Sequence, residues 1–188
     1  MTAPADRAAP GLSERLANGS LAGTWQLDPA RSTATLKSRS MWGLMSVKGA
    51  FREIEGEATV SPAGEVTGYL ALRTASLDTK IAKRDTHLRS DDFFASDTYP
   101  AITFTADKIE PAGQGLTVSG ALTVRDQTRP LSFPATPSQA GDGEVALDAT
   151  VHVDRADFGL TFNQMMNMIS TQNTVTVHAV FTRASPAA

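Results

Sequence analysis

Alternation with a period of two runs through most of this chain, and no other feature constrains its fold so tightly. Val66, Gly68, Leu70 and Leu72 alternate with Thr67, Tyr69, Ala71 and Arg73. Leu116, Val118, Gly120, Leu122 and Val124 alternate with Thr117, Ser119, Ala121, Thr123 and Arg125. The same beat carries Val145, Leu147, Ala149, Val151 and Val153, and then Val175, Val177, Ala179 and Phe181. Side chains two apart share a face of a strand, so each run predicts a strand with one sheltered and one wet face, as in antiparallel sheets. Further strands are expected at Thr24–Asp28, Thr33–Arg39, Val47–Ser61, Ala101–Ile109 and Pro130–Thr136. Gly49 and Gly56 suit a bend or bulge in the long Val47–Ser61 run.

Turn chemistry separates these runs. Ser61–Gly64, Pro111–Gly115 and Gly141–Gly143 are short enough for hairpins. Ser76–Tyr99 is longer, mixes Leu77, Ile81, Leu88, Phe93 and Phe94 with charges, and predicts a short helix. Phe158–Thr174 is rich in Met and Asn and has no clear period. About eight strands in an open sheet would leave a long unpaired edge, so the class is all-β, closed as a barrel or stacked as a two-sheet sandwich. Residues 1–22 are expected to form a mobile arm or a short helix, with Leu12 and Leu16 on one side; 23–184 form the domain and 185–188 a frayed tail.

Composition narrows the chemistry. Seventeen Lys and Arg against 20 Asp and Glu leave a net charge of −3, which argues against a nucleic-acid partner. The absence of Cys removes thiolate nucleophiles, disulfides and cysteine-ligated metals. His87, His152 and His178 are not spaced as metal pairs, and His152 and His178 fall in the polar register, so no metal is expected. Met1–Ala22 is broken by charges and prolines and contains no apolar stretch of the ~7–15 residues of a secretory signal, nor is there any run near the ~20 of a membrane span. The expectation is a cytoplasmic chain without an integral membrane segment.

Charges gather at Lys83–Asp92, Arg125–Pro130 and Asp154–Gly159. A small-molecule enzyme would use Asp85 or Asp91 with His87 as general base, beside Arg89. The structural alternative is that Arg–Asp pairs and Asp caps fasten loops across the ends of the fold. No G-x-S-x-G, H-E-x-x-H or phosphate-binding glycine loop supports catalysis. The apolar residues say more. Met41, Trp42, Leu44 and Met45 precede one strand, and Met165, Met166, Met168 and Ile169 sit in the late loop, so that five of the six Met residues lie in two clusters. Such clusters suit core filling, a ligand mouth, or a docking loop for a protein partner. Inward Gly68, Gly120, Ala149 and Ala179 could leave room inside a barrel, although a tapering solid core has the same pattern.

Several segments resemble the YceI-like family of polyisoprenoid-binding, lipocalin-like barrel proteins. These are Trp25–Asp28 with Ser32 and Thr35; Val47–Phe51 leading to Gly56; Arg84–Phe94 with Tyr99–Phe104; Gly120–Arg125 with Thr128–Pro130; and Arg155–Gly159. The resemblance implies an elongated eight-stranded antiparallel barrel with a short helical insertion around residues 80–95. It also implies a non-catalytic carrier, often a homodimer, for a polyisoprenoid, an isoprenoid quinone or a similar lipid, with no further cofactor. Strand register then makes Leu70, Leu72, Phe104, Leu122, Val124, Phe133, Leu147, Val151 and Val177 the inner wall. Trp42, Met45, Phe94, Phe158, Met165 and Met168 become candidates for the rim or a lid. A polar head group would meet Arg84, His87, Arg89 or Arg129.

Overall fold

The computed structural model describes residues 11–40, 46–141, 143–161 and 169–184. A closed antiparallel barrel forms from eight strands, three of which are interrupted at one level, so that eleven segments result. The first strand is β1 (Gly23–Leu27) continued by β2 (Thr33–Ser40); the second is β3 (Ser46–Phe51) continued by β4 (Ile54–Val60); the third is β5 (Val66–Arg73) continued by β6 (Leu77–Asp78). Then come β7 (Ala101–Ala112), β8 (Gly115–Val124), β9 (Gln127–Gly141), β10 (Glu144–Asp154) and β11 (Ile169–Arg183). Each strand pairs with the next in sequence, and β11 closes the ring against β1 at Leu27–Phe181 and against β2 at Val177–Ala34.

The long Val47–Ser61 run is thus two segments, and the break lies at Arg52–Glu53 rather than at a glycine. The Ser76 hydroxyl accepts the N–H groups of both Arg52 and Glu53, at 3.2 and 3.1 Å, so their hydrogen bonds leave the ladder. Gly49 and Gly56 lie inside the strands instead. A Cβ at Gly56 would stand 2.8 Å from the Tyr69 carbonyl. Gly68 and Gly120 follow the same logic, since a Cβ there would meet Glu57 O at 2.4 Å and Thr105 O at 1.9 Å. These inward glycines let neighbouring backbones approach where the sheet coils, and they do not serve to widen the interior.

Strand β7 runs past Ile109, and a bulge at Asp107 reverses its register. Phe104 opposes Leu122 and Ala106 opposes Gly120, but beyond the bulge Ile109 opposes Val118. Both sides of the bulge therefore keep apolar residues inward. Strand β9 begins at Gln127, which reduces the Arg125–Pro130 loop to a turn at Arg125–Asp126, and β11 begins at Ile169, well inside the Met- and Asn-rich stretch.

Among the described residues, two α-helices flank the barrel. Helix α1 (Leu12–Ala17) turns Leu16 onto one end, where it packs with Leu21, Trp25, Val60 and Val66. The Trp25 indole N–H donates to Leu21 O at 2.9 Å, and the Arg183 guanidinium lies 5.2 Å over the indole while donating to Ser20 O. Helix α2 (Ala82–Arg89) lies between β6 and β7, as the insertion around 80–95 leads one to expect. The segment that follows it brings Phe94 into a cluster with Phe51, Leu77, Phe158 and Leu160 at the opposite end.

Candidate functional site

The inner faces of the strands enclose a cavity of about 280 Å³. On β5, β7 and β8 its wall is Leu70, Leu72, Phe104, Leu122 and Val124, and one continuous row crosses from Leu70 to Phe104 to Leu122. On β9, β10 and β11 it is Phe133, Leu147, Val151 and Val177. The Phe104 and Phe133 rings meet on the wall at a tilt of 55°, with centroids 5.1 Å apart. Phe94 and Phe158, expected at the rim, also line the cavity. Trp42, Met45, Met165 and Met168, expected beside them, lie outside the described residues.

Elsewhere along the barrel axis the cavity ends on apolar packing. Leu16, Leu21 and Trp25 line it at the α1 end. Polar side chains on the wall are few. Glu57, Thr67 and Tyr69 belong to the outward register of β4 and β5 and border the cavity beside Gly68. Arg155 and Asn173 are inward, at the end opposite α1, and neither was a candidate on sequence. Their signal was present: Arg155 continues the inward beat of Val151 and Val153, and Asn173 that of Val175 and Val177. Burial draws the Arg155 pKa below the ordinary guanidinium value, with Asp154 acting in the opposite sense. The side chain remains a cation at neutral pH.

The other charged stretches act as fasteners. Asp85 is buried in the first turn of α2, and its carboxylate accepts from both the N–H and the hydroxyl of Thr79. Arg84 donates to the Thr79 hydroxyl at 2.7 Å and to its carbonyl at 2.8 Å. Arg89 donates to Leu77 O, and the His87 ring lies 6.4 Å from that of Phe93. Arg129 is exposed and donates to Thr128 O and Gln127 Oε1. Arg84, His87, Arg89 and Arg129 all lie off the cavity wall. Arg125, in the β8–β9 turn, reaches Phe93 O and stacks on Tyr99.

His178 and Asp148 meet at 2.7 Å on the outer face, and His152 pairs there with Thr174. Among the described residues no cluster of His, Asp and Glu could hold a metal ion, and no helix is long and apolar enough to cross a membrane.

Comparison with known proteins follows the same outline. Residues 25–181 match the YceI-like domain. The chain is 32% identical over 126 residues to a UPF0312 protein of Vibrio cholerae, covering 63% of this chain and 67% of that protein. It is 35% identical over 97 residues to protein YceI of Escherichia coli O157:H7, half of each chain. Among solved structures, Burkholderia cenocepacia BcnA superimposes with a TM-score of 0.73 at 23% identity, over 82% of this chain and 98% of that one. A polyisoprenoid binding domain from Saccharophagus degradans implicated in plant cell wall breakdown gives 0.68 at 18% identity, over 85% and 98%.

Proposed function

The chain belongs to the YceI-like family, and from that premise we propose that it is a non-catalytic binding protein for one long apolar chain, a polyisoprenoid, an isoprenoid quinone or a similar lipid, carried in the barrel. The observation that carries this reading is the inner wall itself: aliphatic and aromatic side chains line the cavity along every strand of the ring. At about 280 Å³ the space is close to the lower end of the ~300–1,000 Å³ typical of small-molecule sites, and so suits a single chain. Each buried methylene contributes about 0.8 kcal/mol, which is set against the loss of chain and rotational freedom on binding. Discrimination between neighbouring chain lengths is only about 1–3 kcal/mol per methylene, so related chains should compete.

The fold-similar domain from Saccharophagus degradans, described as polyisoprenoid-binding, agrees with a cargo of this kind. The charged cluster offers an enzyme little by comparison, because Asp85 and Arg84 are both engaged with Thr79 and Arg89 holds the β6 backbone at Leu77 O. The deciding experiment is mass spectrometry of an organic extract of the purified protein, followed by rebinding of the extracted compound. A long-chain lipid in near-stoichiometric amount is expected. An extract free of lipid, from a protein that also binds no added chain, would overturn the reading.

A further inference from the structure

Charge is unevenly spread over the outside of the barrel. Lys37 on β2 stands directly opposite Lys48 on β3, and both side chains are exposed. Like charges facing each other across a strand pair destabilise the pairing. Arg39, two residues further along β2, shares their face and is also exposed. Among the described residues no carboxylate pairs with any of the three. The row of Lys48 and Lys37 continues through Thr174 to His152 without an acid. The carboxylates of the flanking segments are taken: Asp78 on β6 by Arg52 and Lys80, and Asp154 on β10 by the Gln172 amide and the Ala156 N–H. The sign reverses toward the α1 end, where β4 continues β3 and turns Glu55 and Glu57 outward, the first paired with Arg73. In a chain of net charge −3, the Lys37–Lys48 face is thus a local inversion of sign. An anionic surface laid against it would offset the repulsion between the two lysines.

We propose that the face formed by Lys37, Arg39 and Lys48 docks the protein on an anionic lipid bilayer, with the acidic stretch of β4 turned away. The side chains between the cations select this partner. Thr35, Ser46 and Ala50 share the outward register there, and none is aromatic or large. Single-stranded nucleic acid is held by aromatic side chains, and a protein interface is anchored by a buried aromatic or apolar centre. Small neutral side chains supply neither, and they let a flat layer of head groups lie against the cations. The choice of a bilayer also rests on the cargo reading, because a long apolar chain dissolves in one.

The test is flotation of the full-length protein with phosphatidylcholine vesicles, with and without about 30% phosphatidylglycerol. Wild type is expected to bind the anionic vesicles alone, and to release them as salt rises from about 0.05 to 0.5 M. The double variant Lys37→Gln, Lys48→Gln should bind about 25-fold more weakly, about fivefold for each charge removed. Arg73→Gln, Lys108→Gln removes two cations from other parts of the outer face, each paired with a glutamate, and should stay within about threefold of wild type. Because the lysine variant relieves a repulsion, it should unfold at no lower denaturant concentration than wild type. A lower midpoint would give the pair a structural role and overturn the argument that selects it. Equal binding to both kinds of vesicle, binding to neither, or an equal loss in the two double variants would overturn the docking face, as would tighter binding to a DNA duplex at the same phosphate concentration. Vesicle binding needs no occupied cavity, so its failure and the failure of the cargo reading are separate results.

Discussion

Arg155 and Leu160 are hydrogen-bonded to each other in both directions. The Leu160 N–H donates to Arg155 O at 3.1 Å, and Arg155 Nη1 donates back to Leu160 O. The link between them is the 3-10 turn Arg155–Phe158 and Gly159, whose φ of +72° lets the chain reverse. One short loop thereby sets both a cation and Phe158 against the cavity, and Asp154 anchors it by accepting from the Ala156 N–H.

Two glycine substitutions should separate backbone strain from collision. Gly159→Ala meets no atom within 4 Å and faces only its positive φ, so it should cost about 1 kcal/mol. Gly120→Ala places a Cβ 1.9 Å from Thr105 O, and relief requires β7 and β8 to part, so about 2 kcal/mol or more is expected. Denaturant unfolding of the two variants measures both. A Gly120→Ala protein as stable as Gly159→Ala would contradict the close-approach account.

Leu122→Arg or Leu147→Arg places a cation on the apolar inner wall, where its desolvation is costly. Either variant should fail to copurify with lipid while circular dichroism still reports a β-barrel. Retention of the same lipid by a folded variant would show that the wall has been misassigned.

Asp85→Ala should destabilise by about 1–3 kcal/mol, since it leaves the Thr79 N–H and hydroxyl buried without their acceptor. Lipid binding by the folded fraction should persist. A loss of binding with stability intact would instead mean that the α2 cluster reaches the cargo.

Acid should weaken the fold through two outer carboxylates. Hydrogen bonds from Arg52, then Lys80, hold Asp78 well below the usual carboxylate range, and Arg31 depresses Glu144 in the same way. A depressed carboxylate adds stability that is present above its unfolded pKa, about 4, and is lost as pH falls through the folded value. Stability should therefore decline below about pH 4, and an Asp78→Asn, Glu144→Gln double variant should show a shallower decline. Both pairs are exposed, so added salt should shrink the difference.

Much of the barrel was legible as alternation, because a sheet with one buried face writes its register directly into the sequence. The wall from Leu70 to Val177 follows from that beat. The interruption at Arg52–Glu53 was not legible, because its cause is the Ser76 hydroxyl, a contact across more than twenty residues. Nor was the bulge at Asp107, where no glycine marks the slip. Arg155 and Asn173 were visible as polar residues on an inward beat, but the charge-dense stretches at 83–92 and 125–130 looked more like head-group sites. Those charges are there because loops and a helix at a barrel's end need fastening.

A chain that meanders so that each strand lies beside its successor gathers nearly all its pairings at short sequence separation, save where β11 returns to β1 and β2. Bringing Phe181 to Leu27 closes a loop of roughly 150 residues, an entropic toll that local hairpins avoid. Assembly should zip outward from the hairpins and leave that seam until after the rate-limiting barrier. Truncations at Leu27 or Phe181 would then hasten unfolding and hardly slow refolding, whereas a truncation at Phe104 or Val118 would do the reverse.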